Sequence, residues 1–355
     1  MDVRRAKAPA TTLWYEGVDL SAQLTPYVRQ LVYVDHLEGD EPDALEVALE
    51  DRQRLLQGPL YPRHGAALAF AFGYEGGEQF ASGAGFQIDE IEVDGPPDVV
   101  TLRAIGNLPA SRIHDRTSYA WRGVTLEQIA RSIAAKHGLA VTVEADRLAW
   151  TTLTQHDEGD LAFLKRLARE YGLVCSLKGG KDQATLILLQ AEALERSAPV
   201  YELGRSDTTR YRFRNKIQPG SRGSYTRYFD SELKELVEFE INLQPGQEQD
   251  RLINAPRPTL HGQSQQLRHV LRGPRRNLEV HAKRALRSSK SYEREATLSL
   301  PGRTRLRSGV TVMLAPDGED GWGASGGKYL VLHSRHTCDP KRGYATEITI
   351  RRTLQ

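Results

Sequence analysis

The chain has only two cysteines, Cys175 and Cys338, in 355 residues. Two isolated thiols cannot build a zinc cluster by themselves, and disulfide stapling is not expected in so long a chain. Synthesis in a reducing cytoplasm follows. No apolar run approaches the roughly 20 residues that a membrane-spanning helix needs. Residues 1–9 are basic but have no apolar stretch behind them, which excludes a secretory signal. No Gly-x-Ser-x-Gly phrase occurs, so the usual setting of a serine nucleophile is missing.

What is present is ordinary in bulk. Hydrophobic residues make up 39% and charged residues 26%, as in a globular protein of two to four domains. The net charge of +2 hides an asymmetry. Residues 1–108 hold 8 Lys/Arg against 18 Asp/Glu, a net of −10, and residues 257–294 hold 10 against 2, a net of +8. Solvated surface accounts for most such runs, but opposed surfaces in an assembly also fit.

The pattern along the chain is β, then mixed, then β again. Residues 28–34, 44–50, 67–74, 86–93 and 99–104 read as short strands separated by Gly- and Pro-marked turns, as in a barrel or sandwich. In 44–50, apolar and acidic residues alternate, which makes Glu46 and Glu50 the wet face of a strand rather than a paired-carboxylate site. The spacing then predicts two amphipathic helices. Thr125 and Gln128 form a capping box for the first, with Leu126, Ile129, Ile133 and Ala134 on its apolar face. Asp157 is expected to cap the second, with Asp160 near its positive end and Leu161, Leu164, Leu167 and Ala168 buried. Gly138 and Gly172 stop them. Strands are expected at 140–143, 174–177 and 184–189. Strand character returns at 209–215 and 234–243, a long loop at 251–265, a helix around 277–289, and strands at 296–300, 311–314, 327–333 and 344–351.

Candidate chemistry is weak throughout. Gly321, Gly323 and Gly326 match a dinucleotide glycine pattern, but a strand follows where a helix should open, so the segment reads as a mobile hairpin loop. Asp317 to Asp320 lacks the spacing and closing Glu of a calcium loop. Helix capping accounts for Asp157 and Asp160 in the cluster His156, Asp157, Glu158, Asp160. His114 and Asp115 have no nucleophile to serve. The basic stretch Arg268, Arg272, Arg275, Arg276, Lys283, Arg284, Arg287 and Lys290 suits phosphate contact, but lacks interleaved aromatics for base stacking. No catalytic, cofactor-binding or metal-ligating residue is assigned.

The wording of the middle segment resembles the phage late control D family. The carrying phrases are Trp121-Arg-Gly-Val-Thr-Leu through Ile133-Ala-Ala-Lys-His-Gly-Leu139, and Gln155-x-Asp-Glu-Gly-Asp-Leu-Ala-Phe-Leu-Lys-Arg-Leu-Ala168. The resemblance extends outward to Leu55-Leu-Gln-Gly-Pro59 with Gly73-Tyr74, and to Leu300-Pro-Gly302, Gly327-Lys-Tyr-Leu-Val331, His336 and Gly343-Tyr344. These are tail hub proteins of contractile-tailed phages, similar to the hub part of type VI secretion VgrG spikes.

The resemblance implies a mainly β fold with α+β content: two tail-tube-like antiparallel β-barrels plus a helix-containing α+β domain. The expected domains are 1–108, a first tube-like barrel; 109–199, a two-helix α+β domain completed by an inserted segment 244–292; and 200–243 with 293–355, a second tube-like barrel. It also implies a non-enzymatic structural role without cofactors, in the baseplate of a virion or of a phage-tail-like particle. The chain would be a homotrimer that adapts a hexameric, sixfold tail tube to a trimeric, threefold spike. The trimer would form part of a channel, with DNA only as cargo there and no membrane insertion. Because the sequence stops soon after its last strand, the spike is expected to be a separate partner. The alternatives are a baseplate-associated cell-wall hydrolase, or a DNA-binding protein using 268–290.

Overall fold

The computed structural model describes residues 8–38, 42–82, 85–106, 111–145, 147–179, 183–215, 223–230, 235–244, 247–253, 266–271, 277, 280 and 294–353. The expected boundary at 107–109 and nearly all of the expected helix at 277–289, with its basic residues, lie outside the described residues.

The first part of the chain carries β1 (Pro9–Tyr15), β2 (Val18–Asp19), the single-turn helix α1 (Ser21–Leu24), β3 (Val28–His36), β4 (Ala44–Glu50), β5 (Ala67–Tyr74), β6 (Gln79–Ala81), β7 (Phe86–Asp94) and β8 (Val99–Gly106). The alternation in β4 does what its sequence dictates. Leu45, Val47 and Leu49 are buried, and Glu46 and Glu50 lie on the opposite, half-buried face. The core beneath is aromatic, with Tyr33 5.1 Å from Phe70 and 5.4 Å from Phe80 between ring centres.

The middle part carries β9 (Thr117–Thr125), α2 (Leu126–Lys136), β10 (Ala140–Glu144), β11 (Ala149–Glu158), α3 (Asp160–Tyr171), β12 (Leu173–Lys178), β13 (Thr185–Gln190) and α4 (Ala191–Arg196). Thr125 and Gln128 form the expected capping box on α2. Gly172 ends α3 in the left-handed region, at φ 62°. The expected cap Asp157 is corrected. The helix starts after Gly159 with no side-chain cap, and residues 155–158 continue β11. Asp157 itself has φ 46° at an irregularity in the β9–β11 pairing. The apolar faces of α2 and α3 close over β12 and β13, with Ile129, Phe163, Leu164 and Leu167 all fully buried.

The last part carries β14 (Tyr201–Leu203), β15 (Arg210–Asn215), β16 (Gly223–Asp230), β17 (Glu235–Gln244), β18 (Gln247–Ile253), β19 (Gln266–Leu271), β20 (Arg294–Pro301), β21 (Thr311–Leu314), β22 (Gly327–Asp339) and β23 (Gly343–Arg352). Strands β16 to β19 form their own sheet in the order β18-β17-β16-β19. The 223–244 strands therefore pair with 247–253 and 266–271, not with the strands after 293. The Gly321–Gly326 segment is not a bare hairpin loop. Trp322 is buried, donates from Nε1 to the Leu203 carbonyl at 2.8 Å, and leads into a short turn before β22.

The organising element is one 14-stranded sheet in the order β15-β20-β23-β22-β3-β4-β8-β7-β5-β1-β2, with β6 on β5 and β14–β21 beside β22. It has two halves, one ordered β3-β4-β8-β7-β5-β1 and the other β14-β21-β22-β23-β20-β15, each over its own apolar core. The seam is the antiparallel pairing of β22 with β3, from His333↔His36 to Cys338↔Leu31. No β1–β3 or β14–β15 pairing closes either half among the described residues.

Packing, not propensity, holds the α+β domain. Leu164→Ala is expected to lower unfolding free energy by about 2–5 kcal/mol, against about 1 kcal/mol for Thr125→Ala. Urea denaturation measures both.

Candidate functional site: a buried polar knot and a three-way junction

The distinctive phrase at 155–168 forms a closed network. Gln155 is buried and accepts from Trp121 Nε1 at 3.4 Å. Its Nε2 donates to Asp160 Oδ1 at 2.9 Å and to the Glu158 carbonyl at 3.0 Å. Asp160 Oδ2 accepts from Lys136 Nζ at 2.8 Å and His137 Nε2 at 2.7 Å, both at the end of α2. The ionised carboxylate accepts, which puts the imidazole proton on Nε2. Arg166 reaches back from α3 and grips both Glu158 oxygens, with Nη2–Oε1 at 2.6 Å. Burial pushes the Asp160 carboxyl up, but the hydrogen bonds from Gln155, Lys136 and His137 outweigh it and hold it below the ordinary range. Each of these polar groups is thus engaged within the domain.

The second cluster joins the α+β domain to the sheet. Lys178, at the end of β12, donates to both Asp43 oxygens at 2.9 Å, to the His36 carbonyl at 2.8 Å and to Asp35 Oδ1. Asp35 also accepts from the Ser308 N–H and hydroxyl, each at 2.8 Å, which brings in the second half of the sheet. Burial opposes the charge on Lys178, but the two carboxylates outweigh it and raise its pKa above the ordinary lysine range. A buried ion pair between Arg351 on β23 and Glu195 on α4, 2.9 Å apart, makes a second bridge. Leu37, Val174 and Leu330 fill the space between the bridges.

A third group sits under the seam. His336 is fully buried, with Nε2 2.9 Å from the Leu306 carbonyl and Nδ1 2.8 Å from the Tyr344 hydroxyl. Burial drives its pKa down to about 4, so the ring is neutral at physiological pH.

The remaining candidates are dispersed. Glu46 pairs with Arg103 at 3.6 Å and Glu50 with Arg52, and they do not converge on one site. His114 ends a short turn (Ser111–His114), with Asp115 just beyond it. Asp320 accepts from the Ser206 N–H and hydroxyl, which makes it a loop brace rather than a calcium ligand. No group of three or more His, Cys, Asp or Glu poised for a metal occurs among the described residues. In the basic stretch only residues 268–271, 277 and 280 are described, the first group within β19. Asn277 is buried and clasps Ala149, donating to its carbonyl at 2.8 Å and accepting from its N–H at 3.3 Å. Lys178, Asp35 and Asp43 carried no local signal in the sequence, since their partners lie far away along the chain.

A seam that fuses two β halves, a domain clamped to it by buried charge, and distinctive residues spent on internal bracing define a structural building block. The particular class is that of phage tails. The chain belongs to the phage tail baseplate hub family, whose model matches residues 97–339. It is 29% identical over 232 residues to the probable baseplate hub protein of Escherichia phage 186, and 30% identical over 232 residues to that of Escherichia phage P2. Those alignments take in 64% and 63% of this chain and 56% of each relative, so the chain spans about half the length of the curated relatives it matches.

The fold is also that of solved tail proteins. A tail protein from Neisseria meningitidis MC58 superposes with a TM-score of 0.69 at 14% identity, covering 97% of this chain and 96% of the other. An E. coli component of the type VI secretion system, itself described as similar to bacteriophage T4 tail proteins, superposes at 0.59 and 11%, covering 97% and 77%. No helix among the described residues is long and apolar enough to cross a membrane.

Two outcomes follow. Lys178→Met leaves Asp35 and Asp43 buried without their cation, and is expected to cost about 3–5 kcal/mol in urea denaturation, partly recovered when both aspartates become asparagine. His336 has a folded pKa below its unfolded value, so stability should be lost as pH falls from about 6.5 to about 4. That group alone accounts for about 3 kcal/mol. An NMR titration should show its ring still neutral at pH 5.

Proposed function

We propose that this protein is the trimeric hub at the centre of a tail baseplate, the adapter between a sixfold tube and a threefold spike. The observation that carries the reading is the sheet. One chain presents two antiparallel β halves, β1 to β8 and β14, β15 with β20 to β23, each over its own core and fixed side by side by the β22–β3 seam. Three such chains would offer six similar units to a hexameric tube while keeping threefold symmetry for a spike. Each half would act as a tube-like barrel, and the ring would enclose part of a channel through which DNA or other cargo passes.

On this reading the domains are the first half (1–108), the α+β support (109–199 with 244–292) and the second half. The second half is built from the strands before residue 216 together with those after 293, since 223–244 pairs elsewhere. The role is non-enzymatic. The α+β domain braces the outside of the ring, meeting the sheet through Lys178 and through the Glu195–Arg351 pair.

Sedimentation of the full chain, alone and with a hexameric tube protein and a trimeric spike, tests the reading. A trimer in the mixture is expected, and a chain that stays monomeric under all conditions would overturn it. A muralytic assay is expected to show no hydrolysis of peptidoglycan. Activity that disappears in Glu46→Ala or Glu50→Ala would favour the hydrolase instead.

A further inference from the structure

Two of the open edges of the large sheet carry opposite charge. At one end, β15 pairs only with β20 among the described residues. It reads Arg-Tyr-Arg-Phe-Arg-Asn, and Arg210, Arg212 and Arg214 are exposed, with no ion-pair partner among the described residues. Tyr211 beside them is 50% exposed. The other edge comes from a stagger. Strand β7 pairs with β5 only at Phe86 and Gln87, and Gly65 and Ala66 close the edge at Ile88. After the irregularity at Asp89, Glu90 to Asp94 pair with β8 on one side and with no strand on the other among the described residues. With Asp89 the stretch reads Asp-Glu-Ile-Glu-Val-Asp, equal in length to β15. Glu90 and Glu92 share Arg103 with Glu46. Asp89 and Asp94 are exposed and make no ion pair among the described residues, and Val93 is 45% exposed.

Charged residues on an edge strand ordinarily prevent pairing with another copy. That protection works against like edges. Here one chain carries a basic edge and an acidic edge, so β15 repels β15 while attracting the free stretch of β7. Backbone pairing of unlike edges also covers Tyr211 and Val93.

Resting on the trimeric reading above, we propose that copies join head to tail by strand addition, the β15 edge of one copy pairing with Asp89–Asp94 of the next. The occupant of each edge is a second copy of this chain. The contact is heterologous, not the self-matching contact of a twofold dimer, and it generates a ring where the rotation between copies closes.

Cysteine cross-linking and charge reversal of the full chain test this. In the antiparallel sense, with Arg210 opposite Asp94, Arg212 falls opposite Glu92, so a chain with both Arg212→Cys and Glu92→Cys should oxidise to covalent oligomers ending in a closed trimer. Neither single variant should cross-link. The native thiols are buried and their pKa values raised to about 12, so they stay silent. Arg212→Glu with Arg214→Glu should weaken association by at least about tenfold, as should Asp89→Lys with Asp94→Lys. All four together should restore it, because attraction returns with the signs exchanged. Trimers that form without the cross-link and ignore the charge changes would overturn the edge pairing and leave the hub reading intact. Monomers throughout, even with tube and spike present, would overturn both.

Discussion

The pairing of β22 with β3 is the constraint on which the rest of this molecule depends. It turns two β halves, each with its own core, into a single sheet. Backbone hydrogen bonds set the register there, and a one-residue slip would turn each buried face outward. The seam is reinforced from beneath by His336, neutral and satisfied on both ring nitrogens. It is reinforced from the side by Lys178, whose ammonium touches Asp35, Asp43 and the His36 carbonyl at the end of β3. A buried charge of this kind contributes less net stability than its contacts suggest, because desolvation opposes it. Its effect is geometric. An ammonium with fixed acceptors tolerates little displacement, and the α+β domain cannot slide without stranding two carboxylates.

The same logic describes how this chain uses its polar residues. An active site keeps polar groups poised and unspent, with pKa values moved toward their task. Here the perturbed groups named below point the other way. Asp160 is held below its ordinary range by three internal donors. Cys175 and Cys338 are pushed up to about 12 by burial and are inert as nucleophiles. Arg166 and Glu158 grip each other. Membership of a structural tail family and this internal use of polarity agree.

Much of the fold was legible in the sequence, for local reasons. The capping box at Thr125 and Gln128 and the stop at Gly172 depend on neighbours a few residues away, and so did the alternation in β4. Asp157 was misread because Asp157 and Asp160 both suit a helix start by type. What decides between them is the tertiary pull of β9, which extends β11 to Glu158 and leaves Gly159 to begin α3. The pairing of β16 and β17 in a separate sheet was invisible because alternation gives a strand's faces but not its neighbours. The junction was illegible for the same reason. Nothing near Lys178 in the chain announces Asp35 or Ser308. The family phrase was recognisable as wording, and the structure supplies its physics: Gln155, Glu158, Asp160 and Arg166 satisfy one another's hydrogen bonds.

A stiff seam has a consequence for assembly. Head-to-tail contacts close into a ring only when the rotation from one copy to the next divides the circle, and otherwise they run on into a filament. If the contacts lie at the two exposed edges, that rotation is set by everything between them: the strands of both halves and the seam that joins them. Flexibility at β22–β3 would spread the angle and favour open oligomers over a closed trimer. The buried charges around Asp35 and the Arg351–Glu195 bridge hold the α+β domain across the seam on both sides, as a brace holds a corner. The part of the sequence that best identifies this protein is engaged in internal hydrogen bonds of the α+β domain. That domain is tied to both halves, and if copies close into a ring, closure depends on the angle it helps to hold.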